Sequence, residues 1–306
     1  MQVPLKAEAG DGGPAMPPGR WIDVGGIRTR YFEAGSGDPL VFLYGGNFGT
    51  GDSASSAYTW NLNIAPLAGQ YRVIALDKLG QGETGNPLRD EDYTMRAVVE
   101  HAAAFLRALG LPAVHLVGHS RGGYAATRLA LEHHDLVKTL TIVNSGTLSP
   151  GVGTNEVVLC NPPHPRGTRE CVRWVYENYS FSPDVVTEAW VDAVMATLTL
   201  DKYQESVRKM GIEGLGERVF LPELARQKRE TLQWLQEGRL QRPVQVIWGF
   251  NDRTAVLERG IELFQMVARH ERSAQFHVIN ASGHFPFREH PARFNALLSR
   301  FAALHS

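Results

Sequence analysis

From residue 40 onward, short runs of consecutive apolar residues alternate with longer stretches in which apolar positions recur every three or four residues. The runs at 40–43, 71–76, 114–117, 137–143 and 244–248, with the more mixed 274–279, are short and rich in β-branched and aromatic residues. That pattern predicts strands, most of them covered on both faces. Between them Met95, Val98, Val99, Ala102, Phe105, Leu106 and Leu109 fall at i, i+3, i+4 spacing and predict an amphipathic helix that Gly110 and Pro112 end. Residues 257–267 and 291–304 predict further helices. Strands that alternate with helices need crossover connections, which makes the fold class α/β with a mostly parallel sheet. Residues 21–33 differ: two β-prone runs flank Gly25-Gly26, the pattern of a hairpin at a sheet edge.

The rhythm stops between about residues 146 and 242. Trp174, Tyr176, Tyr179, Phe181, Trp190, Met195, Tyr203 and Met210 lie there at helical spacings broken by Pro and Gly, which predicts a helical cap inserted into the sheet order. Most of these aromatics should form the cap's own core, and a few should face a cleft. The expected division is a Gly- and Pro-rich arm over 1–19, an α/β core over 20–145 and 243–306, and the cap over 146–242.

At 306 residues and 43% hydrophobic content the chain can bury a large core. A formal net charge of -1 without a long basic run argues against nucleic acid or a membrane as partner and leaves a small molecule. Homodimerisation stays open. Cys160 and Cys171 form no C-x-x-C pair and no metal-type cluster; they fit free thiols of a reducing compartment, with one disulfide between them as the alternative. Lys6, Glu8 and Asp11 replace any apolar leader core near the N-terminus, and the expected localisation is cytoplasmic. Nothing in the pattern calls for a metal or a cofactor.

Residues 114–126, Val-His-Leu-Val-Gly-His-Ser-Arg-Gly-Gly-Tyr-Ala-Ala, carry a strand into G-x-S-x-G and then into a small-residue helix. A serine on so sharp a turn needs glycine two positions before and after it, because strand and helix backbones nearly touch. Ser120 is therefore the candidate nucleophile, with Gly118 and Gly122 flanking it. A serine hydroxyl needs a base and a group to orient that base. Asp252 follows the strand at 244–249, and His284 follows Gly283 after the last strand. Carboxyl ends of parallel strands share one edge, so Ser120, Asp252 and His284 are the expected catalytic set. Backbone N–H groups of Gly46, Asn47 and Arg121 are the expected oxyanion donors. Arg121 sits where a helix dipole disfavours a cation by about 0.3–1 kcal/mol, which leaves two readings: its guanidinium grips a substrate carboxylate, or only its backbone acts.

Gly118-His119-Ser120-Arg121-Gly122-Gly123, Trp248-Gly249-Phe250-Asn251-Asp252, Gly283-His284-Phe285 and Asp77-Lys78-Leu79-Gly80-Gln81-Gly82 together resemble the α/β-hydrolase superfamily. The resemblance implies an eight-stranded, mostly parallel sheet with helices on both faces and an inserted cap. The closing part, through Glu289-His290-Pro291 and Phe294-Asn295, is similar to the meta-cleavage-product hydrolases, which break C–C bonds in ring-fission products. That group usually has Asn before the nucleophile and Trp after the histidine, where this chain has His119 and Phe285. The pattern Gly-His-Ser-Arg-Gly-Gly-Tyr looks closer to related esterases of monoalkyl phthalates. The resemblance thus implies a serine carboxylesterase acting through an acyl-enzyme, with Phe285 and Arg121 toward the substrate. Its alternatives are a C–C hydrolase with the same triad and a catalytically silent binding protein of the same fold.

Overall fold

A computed structural model describes residues 15–151 and 154–306. The first fourteen residues of the expected arm lie outside the described residues. The chain first forms an antiparallel hairpin, β1 (Gly19–Val24) and β2 (Ile27–Ala34), whose Gly25 and Gly26 both have positive φ. That is the backbone a two-residue turn needs to match strand twist. Then follow β3 (Pro39–Leu43), α1 (Asn61–Leu67), β4 (Arg72–Leu76), α2 (Met95–Ala108), β5 (Val114–His119), α3 (Arg121–Glu132) and β6 (Val137–Val143). The sheet has eight strands in the order β1-β2-β4-β3-β5-β6-β7-β8, with β7 (Val244–Gly249) and β8 (Gln275–Ile279) closing one edge. Only the pairings of β1 with β2 and of β2 with β4 are antiparallel.

Helices cover both faces, which is why β3, β5 and β7 are buried along their whole length and are mostly apolar, with His115 and His119 of β5 and Gln245 of β7 as buried polar members. On one face Val98, Phe105 and Leu106 of α2, Leu129 of α3 and Leu263 of the helix between β7 and β8 meet Val41, Leu116 and Val246. On the other, Ile64 of α1 and Phe294 and Leu298 of the closing helix meet Phe42, Val117 and Ile247. Each such fully buried side chain stabilises the fold by about 1.5–3 kcal/mol. Trp60 locks this second layer, its ring 4.6 Å from Phe42 and 4.0 Å from Phe287.

Between β6 and β7 the described chain forms only helices: α4 (Asn155–Val158), α5 (Arg169–Tyr179), α6 (Glu188–Leu198), α7 (Asp201–Val207) and α8 (Leu221–Gln236), with π-helical turns over 208–212 and 216–220. Trp190, Val191, Tyr176 and Tyr203 fill the interior of this segment, and Thr168 and Thr187 cap α5 and α6 by accepting from Cys171 and Trp190 N–H groups. The chain ends with α9 (Leu257–Ala268), β8, α10 (Pro286–Glu289) and α11 (Pro291–Ala303). Among the described residues no helix is long and apolar enough to cross a membrane, and no cluster of His, Cys, Asp and Glu could hold a metal. Cys160 is exposed, Cys171 is buried, and both are free thiols.

Candidate active site

The turn from β5 into α3 is as tight as its glycines imply. A Cβ on Gly118 would lie 2.4 Å from the Gly122 carbonyl oxygen, and one on Gly122 would lie 2.3 Å from that of Leu43. Ser120 between them has φ 52 and ψ -125, a backbone that costs on the order of 1–3 kcal/mol. Its N–H donates to Val143 O at 2.8 Å and holds the elbow to β6. The flanking helix and sheet thus carry the strain that lifts this one side chain into the cleft.

Asp252 and His284 leave β7 and β8 at the same sheet edge, and His284 Nδ1 donates to Asp252 Oδ2 at 2.6 Å. Both side chains are buried. The other Asp252 oxygen accepts from Thr254 N–H and hydroxyl, both at 2.8 Å, and from Ala255 N–H at 2.9 Å. Asn144 Nδ2 donates to Oδ2 at 2.7 Å. Burial pushes this carboxyl's pKa up, but the charge of His284 and these hydrogen bonds outweigh it and hold the group below the ordinary carboxylate range. An ionised acceptor at Nδ1 fixes the tautomer that leaves Nε2 as the basic nitrogen.

Asn144 earns its place by backbone as well as side chain. It follows β6 with φ 43, a conformation Asn tolerates better than most residues, and its Oδ1 accepts from Gly249 N–H at 3.1 Å. It thereby ties the ends of β6 and β7 to the carboxylate.

The histidine loop is clamped from the helical segment. His284 N–H donates to Tyr179 O at 2.8 Å, and the Tyr179 ring stacks on the imidazole with centroids 4.9 Å apart. Buried Glu289 accepts from Phe181 N–H at 2.5 Å, Ser282 Oγ at 2.8 Å and Gly283 N–H at 2.6 Å. His119 Nε2 donates to His284 O at 2.8 Å; its Nδ1 is buried without a partner, and burial first, then the neighbouring His284, push its pKa well below 6.5. His119 is therefore neutral.

Two cavities meet at Ser120 and His284. The smaller, about 40 Å³, is lined by Gly45, Gly46, Ser53, Ser55, Thr59, His119, Tyr176, Tyr179 and Phe285. The larger, about 630 Å³, carries Asn47, Arg121, Arg166 and Lys228 on its wall, with Asp52 as the acidic member. Arg121 begins α3, and its guanidinium lies 5.5 Å from the Phe220 ring centroid. Arg166 pairs with Asp52 at 3.1 Å. Among the described residues no acceptor meets the N–H of Gly46 or Asn47.

The structure thus brings Ser120, His284, Gly46, Asn47 and Arg121 to one cleft, places Asp252 directly behind the imidazole, and sets Phe285 in the wall of the smaller cavity. Phe285 is mostly packed, against Tyr176, Trp190 and His119. Sequence reasoning missed Asn144, Thr254, Arg166 and Lys228, and named Tyr179 only as one of the aromatics of which a few should face a cleft. A polar residue directly after an apolar strand marked Asn144; nothing local marks the others, which reach the site by tertiary packing.

Comparison with known proteins agrees with this architecture. The sequence model of the Alpha/beta hydrolase family matches residues 40–297. The chain is 30% identical over 292 residues to a 2-hydroxymuconate semialdehyde hydrolase of Pseudomonas sp. (strain CF600), covering 93% of this chain and 94% of that protein. It is 27% identical over 293 residues to a 2-hydroxy-6-oxo-6-(2'-aminophenyl)hexa-2,4-dienoic acid hydrolase of Metapseudomonas resinovorans, covering 92% and 89%. Among solved structures, the S103A mutant of a meta-cleavage product hydrolase from Pseudomonas fluorescens IP01 (CumD) shares the fold with a TM-score of 0.75 at 24% identity, over 94% of this chain and 98% of that one. With its eight-stranded sheet, its serine elbow and a family match that runs from β3 into α11, the chain belongs to the alpha/beta hydrolase family.

Proposed function

We propose that this hydrolase is a serine carboxylesterase for a small aromatic ester that bears a carboxylate, a monoalkyl phthalate being the type case. Ser120 Oγ attacks the ester carbonyl as His284 Nε2 takes its proton, with Asp252 orienting the imidazole. The N–H groups of Gly46, Asn47 and Arg121 receive the negative charge on the carbonyl oxygen. The tetrahedral adduct collapses, the alkoxide leaves with the proton from His284, and water deprotonated by His284 then releases the acid. The chemistry requires no metal or cofactor. The helices between β6 and β7 serve as a cap over the cleft.

The observation that carries the carboxylate on the substrate is charge. Among the described residues the wall of the wide cavity carries Arg121, Arg166 and Lys228 and one acid, Asp52, which pairs with Arg166, and an anionic acyl half suits that wall. A second reading, hydrolysis of a C–C bond in a ring-fission dienoate, is favoured by the activities named for the relatives at 27–30% identity. Assaying the pure protein on a monoalkyl phthalate and on a ring-fission dienoate separates them. The ester reading expects kcat/KM at least about tenfold higher on the phthalate; the reverse ratio transfers the assignment to C–C cleavage. No turnover of either, with no labelling of Ser120 by an organophosphonate, would mark a non-catalytic binding protein.

A further inference from the structure

Lys78 is a side chain that the triad leaves unexplained. It follows β4, is 1% exposed, and among the described residues no carboxylate pairs with it. Its Nζ donates to Gly45 O at 3.0 Å and to Gly46 O at 3.3 Å, and stands 4.8 Å from the centroid of the Tyr44 ring. Its own N–H donates to the Tyr44 hydroxyl at 3.2 Å. Burying an amine without a counter-ion is costly, and a Met of similar volume would avoid the cost. Such a group needs a role that an apolar side chain cannot fill.

The two carbonyls it binds supply that role. In a trans peptide the C=O of one residue and the N–H of the next point in opposite directions, and among the described residues no peptide bond is cis. Drawing Gly45 O and Gly46 O to Nζ therefore turns Gly46 N–H and Asn47 N–H away from it. Neither N–H meets an acceptor among the described residues, and both residues line the cavity that holds Ser120. A Cβ on Gly45 would lie 2.8 Å from Ser120 Cβ, so the turn is pressed against the elbow. Gly46, at φ 81, has a backbone few other residues adopt, and an unanchored Gly-Gly turn would sample many others.

We propose that Lys78 is the positioning residue of the oxyanion turn: by holding the carbonyls of Gly45 and Gly46 it aims the N–H groups of Gly46 and Asn47 at the oxygen of the carbonyl that Ser120 attacks. The proposal rests on the serine-hydrolase reading above. Burial, with the charge of Arg121 behind it, pushes the Lys78 pKa well below the ordinary lysine value. A neutral amine still has two N–H groups, one for each carbonyl, so the role survives loss of the charge.

The test compares wild type, Lys78→Met and Lys78→Gln on p-nitrophenyl acetate, with an aryl trifluoromethyl ketone as tetrahedral-adduct probe. Losing one oxyanion donor costs about 100-fold to 1,000-fold in kcat, and misaiming a pair belongs to that range. Lys78→Met should lose about 30-fold to 300-fold in kcat with KM within about twofold, weaken ketone inhibition by the same factor, and melt no lower than wild type. Lys78→Gln, which restores N–H donors, should recover at least about tenfold of the loss. A folded Lys78→Met with kcat within about twofold of wild type overturns the proposal, as does a Gln variant no better than Met. Should the Met variant not fold, wild type decides: the amide protons of Gly46 and Asn47 must move downfield in the ketone adduct, and unmoved resonances overturn the proposal. A wild type inert to both probes would end the serine-hydrolase reading and this one with it, whereas an active wild type beside an unaltered Lys78→Met ends this one alone.

Discussion

Across the cleft, two polar side chains are held in opposite ways. Asp252 is buried behind His284 and receives hydrogen bonds from Asn144, Thr254, Ala255 and the imidazole at 2.6–2.9 Å, every donor from a strand end or the loop beyond it. Arg166, on the helical segment between β6 and β7, is 63% exposed and among the described residues meets one partner, Asp52. The first arrangement is preorganised and pays its ordering cost during folding; the second is a long side chain in water, whose pairing contributes about 0–1 kcal/mol. On the proposed reading, chemistry is built into the sheet edge, and substrate choice is left to a wall that can change without disturbing it.

Removing groups on the sheet side should cost the most. Ser120→Ala is expected to lower kcat by about a million-fold while a carboxylate-bearing product still binds the wide cavity with unchanged affinity, which titration calorimetry would measure. Loss of both together would mean that the two walls are not independent. Asn144→Gly comes next. Glycine keeps the backbone at φ 43 but deletes the donor to Asp252, and a hydrogen bond to a charged group contributes about 1.5–3 kcal/mol, or about 10-fold to 150-fold in kcat. A variant with kcat unchanged would show that the donors from Thr254 and Ala255 suffice.

The same contrast explains what the sequence discloses. The elbow is legible because Gly118 and Gly122 have no alternative: backbone oxygens at 2.3–2.4 Å exclude any Cβ, so chemistry and chain geometry demand the same residues. The strands are legible because helices on both faces make them mostly apolar. Asp252 and His284 follow from the rule that strand ends share an edge, although nothing in either loop by itself separates them from turn residues. Glu289 stands in the sequence as one residue of a resemblance, and only tertiary packing reveals that it accepts from Ser282, Gly283 and Phe181 at once. Arg166 and Lys228 have no local mark, since an exposed arginine in a turn and a half-buried lysine on a helix are common features of any surface. What a residue must do for the backbone is written locally; what it does for a ligand depends on which distant wall it ends up facing.

On that second wall the expected effects are smaller. Arg121→Ala and Lys228→Met should each raise KM for an acidic monoester by about 3-fold to 30-fold and leave KM for a neutral ester of equal size within about twofold. Equal shifts for both esters would remove the substrate carboxylate from the proposal and leave Arg121 acting through its backbone.

The smallest effect concerns a histidine that has no part in either wall. His101 of α2 is buried, with Nε2 3.0 Å from Thr29 Oγ1. That hydroxyl already donates to Ile27 O at 2.9 Å, so it accepts from His101, Nε2 carries the proton, and Nδ1 is left bare and unpartnered. Burial lowers the His101 pKa to about 4. An unfolded histidine titrates near 6.5, so between pH 6.5 and 4 the unfolded chain binds a proton the folded one refuses, and stability falls as pH falls through that window. Between pH 7 and 5 this one group should cost about 1–2 kcal/mol, and His101→Gln should remove that part of the loss in urea unfolding while leaving kcat at pH 7 unchanged. His284 sits at the opposite pole, with its Nδ1 partnered by a carboxylate and its ring lining the cavities. If His101→Gln also moved the acid limb of the kcat/KM profile, packing beneath the sheet would be feeding into the cleft, and the separation between scaffold and chemistry would fail at the point where it is most expected to hold.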